Sequence, residues 1–231
     1  MGWGARAARA LATAVFVALP CGTGMAKTAP PPARKALNPH VLAILRSYPT
    51  DGTHRYWWPK DGRYDGVSRT LRYDGEVVAR GEPGGRTFCC GLTFEVWLRA
   101  CERAHRHRGK AGPLRLAGID AAGMRRLRSA WYCAAGGLAG PEDALVPRGL
   151  GYRIRRLEDA RPGDFVQLWR HSGSGHSVIF LAWVREGGRI VGMRYWSTQS
   201  STRGIGVRVE RFGPPRGIDP QRLHIVRAAL P

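Results

Sequence analysis

The segment Arg86-Thr87-Phe88-Cys89-Cys90-Gly91-Leu92-Thr93-Phe94-Glu95-Val96-Trp97-Leu98 follows the chain breaker Glu82-Pro83-Gly84-Gly85 and has the pattern of a helix from about Cys89 to Arg103. On a helical wheel Cys89, Leu92, Thr93, Val96 and Ala100 form one stripe and Cys90, Phe94, Trp97, Leu98 and Cys101 a second, so the helix is expected to be buried on two sides. Both cysteines fall in its first turn. There a side chain meets unpaired amide donors and the positive end of the helix dipole, and both favour thiolate, the nucleophilic form of cysteine.

Toward the C-terminus, Cys101 to Pro113 is basic and polar. Ile119 to Cys133, capped by Asp120, reads as a second helix ending at Gly136-Gly137, and Pro141-Glu142-Asp143 opens a short third one. From Ile154 the hydrophobic period changes to two. Asp164 to Trp169, Ser177 to Val184, Arg189 to Trp196 and Ile205 to Phe212 read as four strands of an antiparallel meander joined by glycine-rich turns. Toward the N-terminus, Asn38 is placed to cap a short helix beginning at Pro39, and Tyr73-Asp74-Gly75 followed by Glu76-Val77-Val78-Ala79 is a hairpin signal. Helices first and sheet afterwards predict a single α+β domain.

Arg6 and Arg9, the apolar run Ala10 to Pro20 and the small residues ending at Ala26 have the layout of a secretory signal over residues 1–26. The apolar run is about half the length of a spanning helix, so no transmembrane span is expected and the protein is expected to be exported, periplasmic or extracellular. Leu19-Pro20-Cys21 also carries a weak lipoprotein-like pattern, with Cys21 as the lipidated residue. Residues 27–37 are rich in proline, alanine and base and read as a tether; the folded domain is expected over 38–231, with an N-terminal extension at 38–85.

The composition, 43% apolar and 23% charged with eight tryptophans, excludes an intrinsically disordered polycation. Lysine and arginine number 37 against 17 acids; cleavage after Ala26 would remove two arginines and no acid, taking the charge from +20 to +18. The positive residues are almost all arginine and are scattered from end to end. That scatter fits a genome-composition bias or a general attraction to a polyanionic surface, such as anionic envelope polymers, as well as it fits a nucleic-acid footprint, and no nucleic acid is expected as partner. Four cysteines would remain in a compartment that permits disulfides; of the three possible pairings, Cys101 with Cys133 is preferred, because a bridge between neighbours Cys89 and Cys90 is strained. His105 and His107 flank Arg106 near Cys101, but no second ligand pair at metal spacing follows, so neither metal nor cofactor is expected.

A thiolate nucleophile needs a base. His176 begins a strand after Ser172-Gly173-Ser174-Gly175, where the glycine-rich turn sets the imidazole at the sheet edge. One strand further on, Tyr195-Trp196-Ser197-Thr198-Gln199 offers polar groups to orient the ring, Gln199 first and Ser197 second. Trp169 and Trp196 are candidates to line a substrate groove; Trp57, Trp58 and Trp183 share the same aromatic character.

Cys89-Cys90-Gly91-Leu92-Thr93 resembles the Cys-Ser-Gly-Leu/Phe-Val signature of NlpC-type cell-wall peptidases. Arg161-Pro162-Gly163-Asp164-Phe165-Val166 and Gly175-His176-Ser177-Val178-Ile179-Phe180-Leu181 are similar to that family's Pro-Gly-Asp-Leu-Val and His-Val-Gly-Ile-Tyr strands. The CHAP amidase and peptidase group, which uses the same cysteine and histidine, is a near alternative. The resemblance spans about residues 86–212, with an insert at about 102–153. It implies a papain-like α+β fold cleaving amide bonds of peptidoglycan peptides through a thioester, as endopeptidase or amidase, with Cys89 as nucleophile, Cys90 as the alternative, His176 as base, peptidoglycan or muropeptides as partner, and a monomer. Two other classes stand beside this expectation. One is a non-catalytic envelope-binding module on the same fold; the other is an exported nucleic-acid binder.

Overall fold

The computed structural model describes residues 35–59 and 61–230. The signal segment 1–26, Cys21 and residues 27–34 of the tether lie outside the described residues.

Four α-helices lead into an antiparallel sheet: α1 (Asn38–Leu45), α2 (Cys89–His107), α3 (Ala121–Trp131) and α4 (Pro141–Leu145). The longest, α2, runs one turn beyond the expected Arg103 because Cys101 and Ala104 keep its apolar stripe buried, while His105, Arg106 and His107 complement the negative end of its dipole. Every residue from Cys89 to Leu98 is buried, as two apolar stripes on one helix require. Asp120 caps α3 by accepting the Gly123 amide at 2.6 Å. Asn38, by contrast, does not cap α1. Leu37 occupies that position, and the Asn38 amide instead donates to Pro162 O at 2.9 Å and Asp164 Oδ1 at 2.8 Å.

Nine strands are found among the described residues. β1 is Lys35–Ala36; β2 (Leu71–Tyr73) and β3 (Glu76–Ala79) form the expected hairpin, turning through Asp74 and Gly75 with φ of 53° and 80°. β4 (Gly151–Arg153), β5 (Phe165–Arg170), β6 (Gly175–Glu186), β7 (Arg189–Gln199), β8 (Gly204–Arg211) and β9 (Ile218–Leu230) follow. The seven-stranded sheet has the order β1-β9-β5-β6-β7-β8, with β4 also on β9. The meander β5 to β8 is the one expected from the period-two segments.

Three boundaries differ from expectation. The last strand, β9, lies beyond Phe212 and is interior, paired with β5 on one side and with β1 and β4 on the other. Residues 35–37 leave the tether to form β1 and to bury Leu37 against the core. The 102–153 insert is integral to the body: Trp131 is fully buried and its indole N–H donates to Thr93 Oγ1 on α2 at 3.1 Å.

The principal core lies between the helices and one face of the sheet, and a second cluster around Val166, Leu168, Phe180, Met193 and Tyr195 covers other sheet residues. Asp164, in the Pro-Gly-Asp turn before β5, ties these parts together. Its buried carboxylate accepts both Nε and Nη2 of Arg227 on β9 at 2.8 Å, Asn38 Nδ2 on α1, and the Arg161 amide. No helix among the described residues is long and apolar enough to cross a membrane.

Candidate active site

The start of α2 meets the start of β6. Thr93, one turn into the helix, lies 2.8 Å from Ser177 Oγ on β6 and donates back to the carbonyls of Cys89 and Cys90. Its hydroxyl has one proton, so these are competing acceptors of a single clasp that holds the helix start against the strand. Gly91 permits the approach on the other side. A Cβ there would stand 2.3 Å from Asp65 O and 2.5 Å from the Gly66 carbonyl carbon.

Cys89 is 8% exposed and His176 6% exposed, both at the floor of a cleft of about 200 Å³. His176 Nε2 lies 2.8 Å from Gln199 Oε1 at the end of β7. That contact places the ring proton on Nε2 and leaves Nδ1 for the thiol. The Cys89 thiol is held well below its ordinary range by a hydrogen bond from Cys90, by the charge of and hydrogen bond to His176, and by the Ser177 amide, against the opposing effect of burial. Cys90 goes the other way: burial first, then its role as donor to Cys89 and the neighbouring charge, push it well above. The two adjacent thiols are therefore driven apart, Cys89 toward the thiolate and Cys90 toward the neutral S–H donor. Of the two candidates, Cys89 is the one that meets His176 and the Ser177 amide.

Behind Gln199 stands a group that the sequence analysis missed. The Tyr195 hydroxyl lies 2.8 Å from Glu210 Oε2 on β8 and 3.2 Å from Gln199 Oε1, and Glu210 is gripped by Arg170 Nε at 2.5 Å and Nη2 at 2.9 Å. The Tyr195 ring also meets the His176 ring edge-on, centroids 5.7 Å apart. Tyr195 and Gln199 are four residues apart on one strand and so share a face, a signal that period-two reading contains. Glu210 comes from the next strand and could only be joined to them by register.

Ser197, the second choice for orienting the imidazole, is buried and donates to Ser177 O at 2.8 Å. It braces β6 and does not touch the His176 side chain. Of the two tryptophans assigned to the groove, Trp169 lines the cleft, with its indole N–H fixed on Leu138 O at 2.8 Å. Trp196 does not: it is 3% exposed and packs against Tyr48 in the core, 5.5 Å between centroids. The cleft is also lined by Trp58, 53% exposed and packed at a tilt against Phe88, and by Tyr132 and Cys133 just after α3.

The expected Cys101–Cys133 bridge is absent, and both are free thiols. Cys101 lies twelve residues along α2 from Cys89, about 18 Å at 1.5 Å per residue, whereas Cys133 sits at the Cys89 end of the helix, lining the cleft. A disulfide needs Cα atoms within about 7 Å.

In comparison with known proteins, the chain matches no family model, no curated protein and no solved structure.

Proposed function

We propose that this chain is an exported cysteine hydrolase of papain-like architecture that cleaves an amide bond in peptidoglycan peptides, with Cys89 as nucleophile, His176 as general base and acid, and Gln199 as the residue that orients the imidazole. The observation that carries the proposal is the line Cys89, His176, Gln199: a thiol lowered by hydrogen bonding and by His176, and an imidazole whose far nitrogen is held at 2.8 Å.

The chemistry follows from these groups. The Cys89 thiol passes its proton to Nδ1 of His176 and its thiolate attacks the amide carbonyl carbon, while the backbone N–H of Cys89 at the helix start stabilises the oxygen that becomes negative. The carbon–nitrogen bond then breaks as His176 gives its proton to the leaving amine, and the acyl group remains on sulfur as a thioester. Water enters and yields its proton to His176. Its oxygen bonds to the acyl carbon, the carbon–sulfur bond breaks, and a carboxylic acid product leaves with Cys89 restored. The aromatic walls Trp58, Tyr132 and Trp169 suit a sugar-peptide chain lying across the cleft.

Digestion of purified muropeptides, followed by mass spectrometry, tests the proposal. The expected result is product pairs whose masses sum to the substrate plus one water, absent with Cys89→Ala. Intact muropeptides with the unaltered protein, together with retention of that protein on isolated wall, would instead assign it to binding without catalysis.

A further inference from the structure

A second cavity, of about 520 Å³, opens beside the catalytic line and is bounded by Asp51, Gly52, Arg55, Tyr56, Ser200 and Arg203. The backbone ties it to the nucleophile. Tyr56 bridges Thr87 in parallel register, the Thr87 amide donates to Arg55 O at 2.9 Å, and Thr87 is two residues before Cys89. On the other side Thr87 Oγ1 donates to Thr198 Oγ1 at 3.0 Å, and Ser200 directly follows Gln199. The phenol of Tyr56 is raised by burial first and then by the neighbouring Cys89, in keeping with this backbone link.

Arg55 and Arg203 are brought to this cavity by a close approach. Gly204 presses on the 54–55 backbone so tightly that a Cβ would stand 2.1 Å from His54 O and 3.1 Å from Arg55 Cα. Both arginines are exposed, and among the described residues neither makes an ion pair, whereas thirteen other ion pairs engage arginine elsewhere in the described chain. Arg203 is moreover held in the left-handed region at φ 54°, where glycine or asparagine is the easier residue. This conformation closes the 3-10 turn Ser200–Thr202, which follows Gln199, and sets the Arg203 side chain on the cavity wall.

We propose that this cavity is the carboxylate subsite of the substrate cleft, with Arg55 and Arg203 gripping a carboxylate carried by the peptide close to the scissile amide. The two guanidiniums and Asp51 sum to a single positive charge, matched by a monoanion; planar forked donors fit the two oxygens of a carboxylate, and Ser200 adds a hydroxyl. The substrate is therefore an acidic peptide, cleaved beside either an acidic side chain or a free chain end. The inference rests on the assignment of Cys89 as the nucleophile and narrows what that nucleophile meets.

Its test measures binding, so that it can fail independently of hydrolysis. Isothermal titration is run on the full chain with Cys89→Ala, using three blocked tripeptides: N-acetyl-Ala-Glu-Ala-amide, N-acetyl-Ala-Gln-Ala-amide and N-acetyl-Ala-Gln-Ala with a free terminal carboxylate. The expected result is at least tenfold tighter binding of one carboxylate peptide than of the doubly blocked glutamine peptide, and the arm that wins identifies the source of the carboxylate. Arg55→Gln and Arg203→Gln each remove most of that preference. Arg203→Gly also removes it while raising the melting temperature, which separates lost recognition from lost folding. Equal affinity for all three peptides, no binding of any of them, or a preference that survives both glutamine substitutions would overturn the subsite.

Discussion

At the scale of single residues, the adjacent thiols divide their labour through one proton. Cys90 keeps its hydrogen because burial opposes its ionisation, and it donates that hydrogen to Cys89, which is thereby easier to ionise. Cys90→Ala removes the donor. The midpoint of Cys89 alkylation should then move upward, with a slower reaction below the original midpoint; Cys90→Ser, which retains a donor, should recover most of the rate. Tyr195→Phe tests the group behind Gln199. Loss of the hydroxyl leaves Glu210 short of a buried partner, at a cost of about 1–3 kcal/mol, and frees the Gln199 amide to rotate. The expected kinetic result is a fall in kcat of about tenfold with KM unchanged, since the hydroxyl lies behind the imidazole and away from bound peptide. The sequence made Cys89, His176 and Gln199 legible because each sits at the end of a periodic element. It could not choose between Cys89 and Cys90, because the choice depends on which thiol faces His176 and Ser177 across the fold. Trp196 misled for a related reason: an aromatic on a strand reads the same whether its face turns to a groove or, as here, to Tyr48.

At the scale of elements, the reactive thiol depends on how closely α2 can approach the 65–66 backbone. Alanine is ordinarily better than glycine in a helix by about 1 kcal/mol, so intrinsic propensity alone predicts that Gly91→Ala stabilises. The backbone atoms 2.3–2.5 Å from the would-be Cβ decide the opposite. A lower melting temperature, equivalent to a loss of about 1–3 kcal/mol, should accompany weakened activation of Cys89 as the helix start is pushed off the 65–66 backbone and out of its register against β6. A rise in melting temperature with normal thiol reactivity would show that the approach carries no strain. Helix α2 was readable from its two stripes, and the hairpin from Asp74-Gly75. The strand β9 was not: its first half, Asp219-Pro220-Gln221-Arg222, has turn-like composition, and its second half from Ile225 is buried continuously, so neither half alternates. Pairing along both of its sides is what makes it a strand.

At the scale of the molecule, β9 closes the fold and so makes the body larger than the 86–212 segment that carries the motifs. Ending the chain after Phe212 would strip β5 of one of its two neighbours and remove Arg227 from the buried carboxylate of Asp164. An unpaired buried charge of this kind costs about 3–5 kcal/mol on its own. The shortened chain is therefore expected to lose its cooperative thermal transition and to be digested rapidly by trypsin, whereas the full chain resists; a cooperative, protease-resistant 1–212 fragment would mean that the meander folds without β9. The α+β class was legible because helices and strands are segregated along the chain. The place of the 102–153 insert was not: its helix over 119–133 was readable, but nothing in the sequence announces that Trp131 reaches Thr93 or that Tyr132 and Cys133 face the cleft.

The central claim is that Cys89 and His176 are an activated pair, and iodoacetamide labelling of the purified protein across pH, with the modified residue mapped and His176→Ala run alongside, tests it most directly. Because His176 and Cys90 lower the Cys89 thiol, fast labelling should persist well below pH 8.5, about where a free cysteine ionises, and the His176→Ala profile should shift upward toward that value. Labelling of Cys89 with the midpoint of an ordinary thiol, unchanged by loss of His176, would contradict the account.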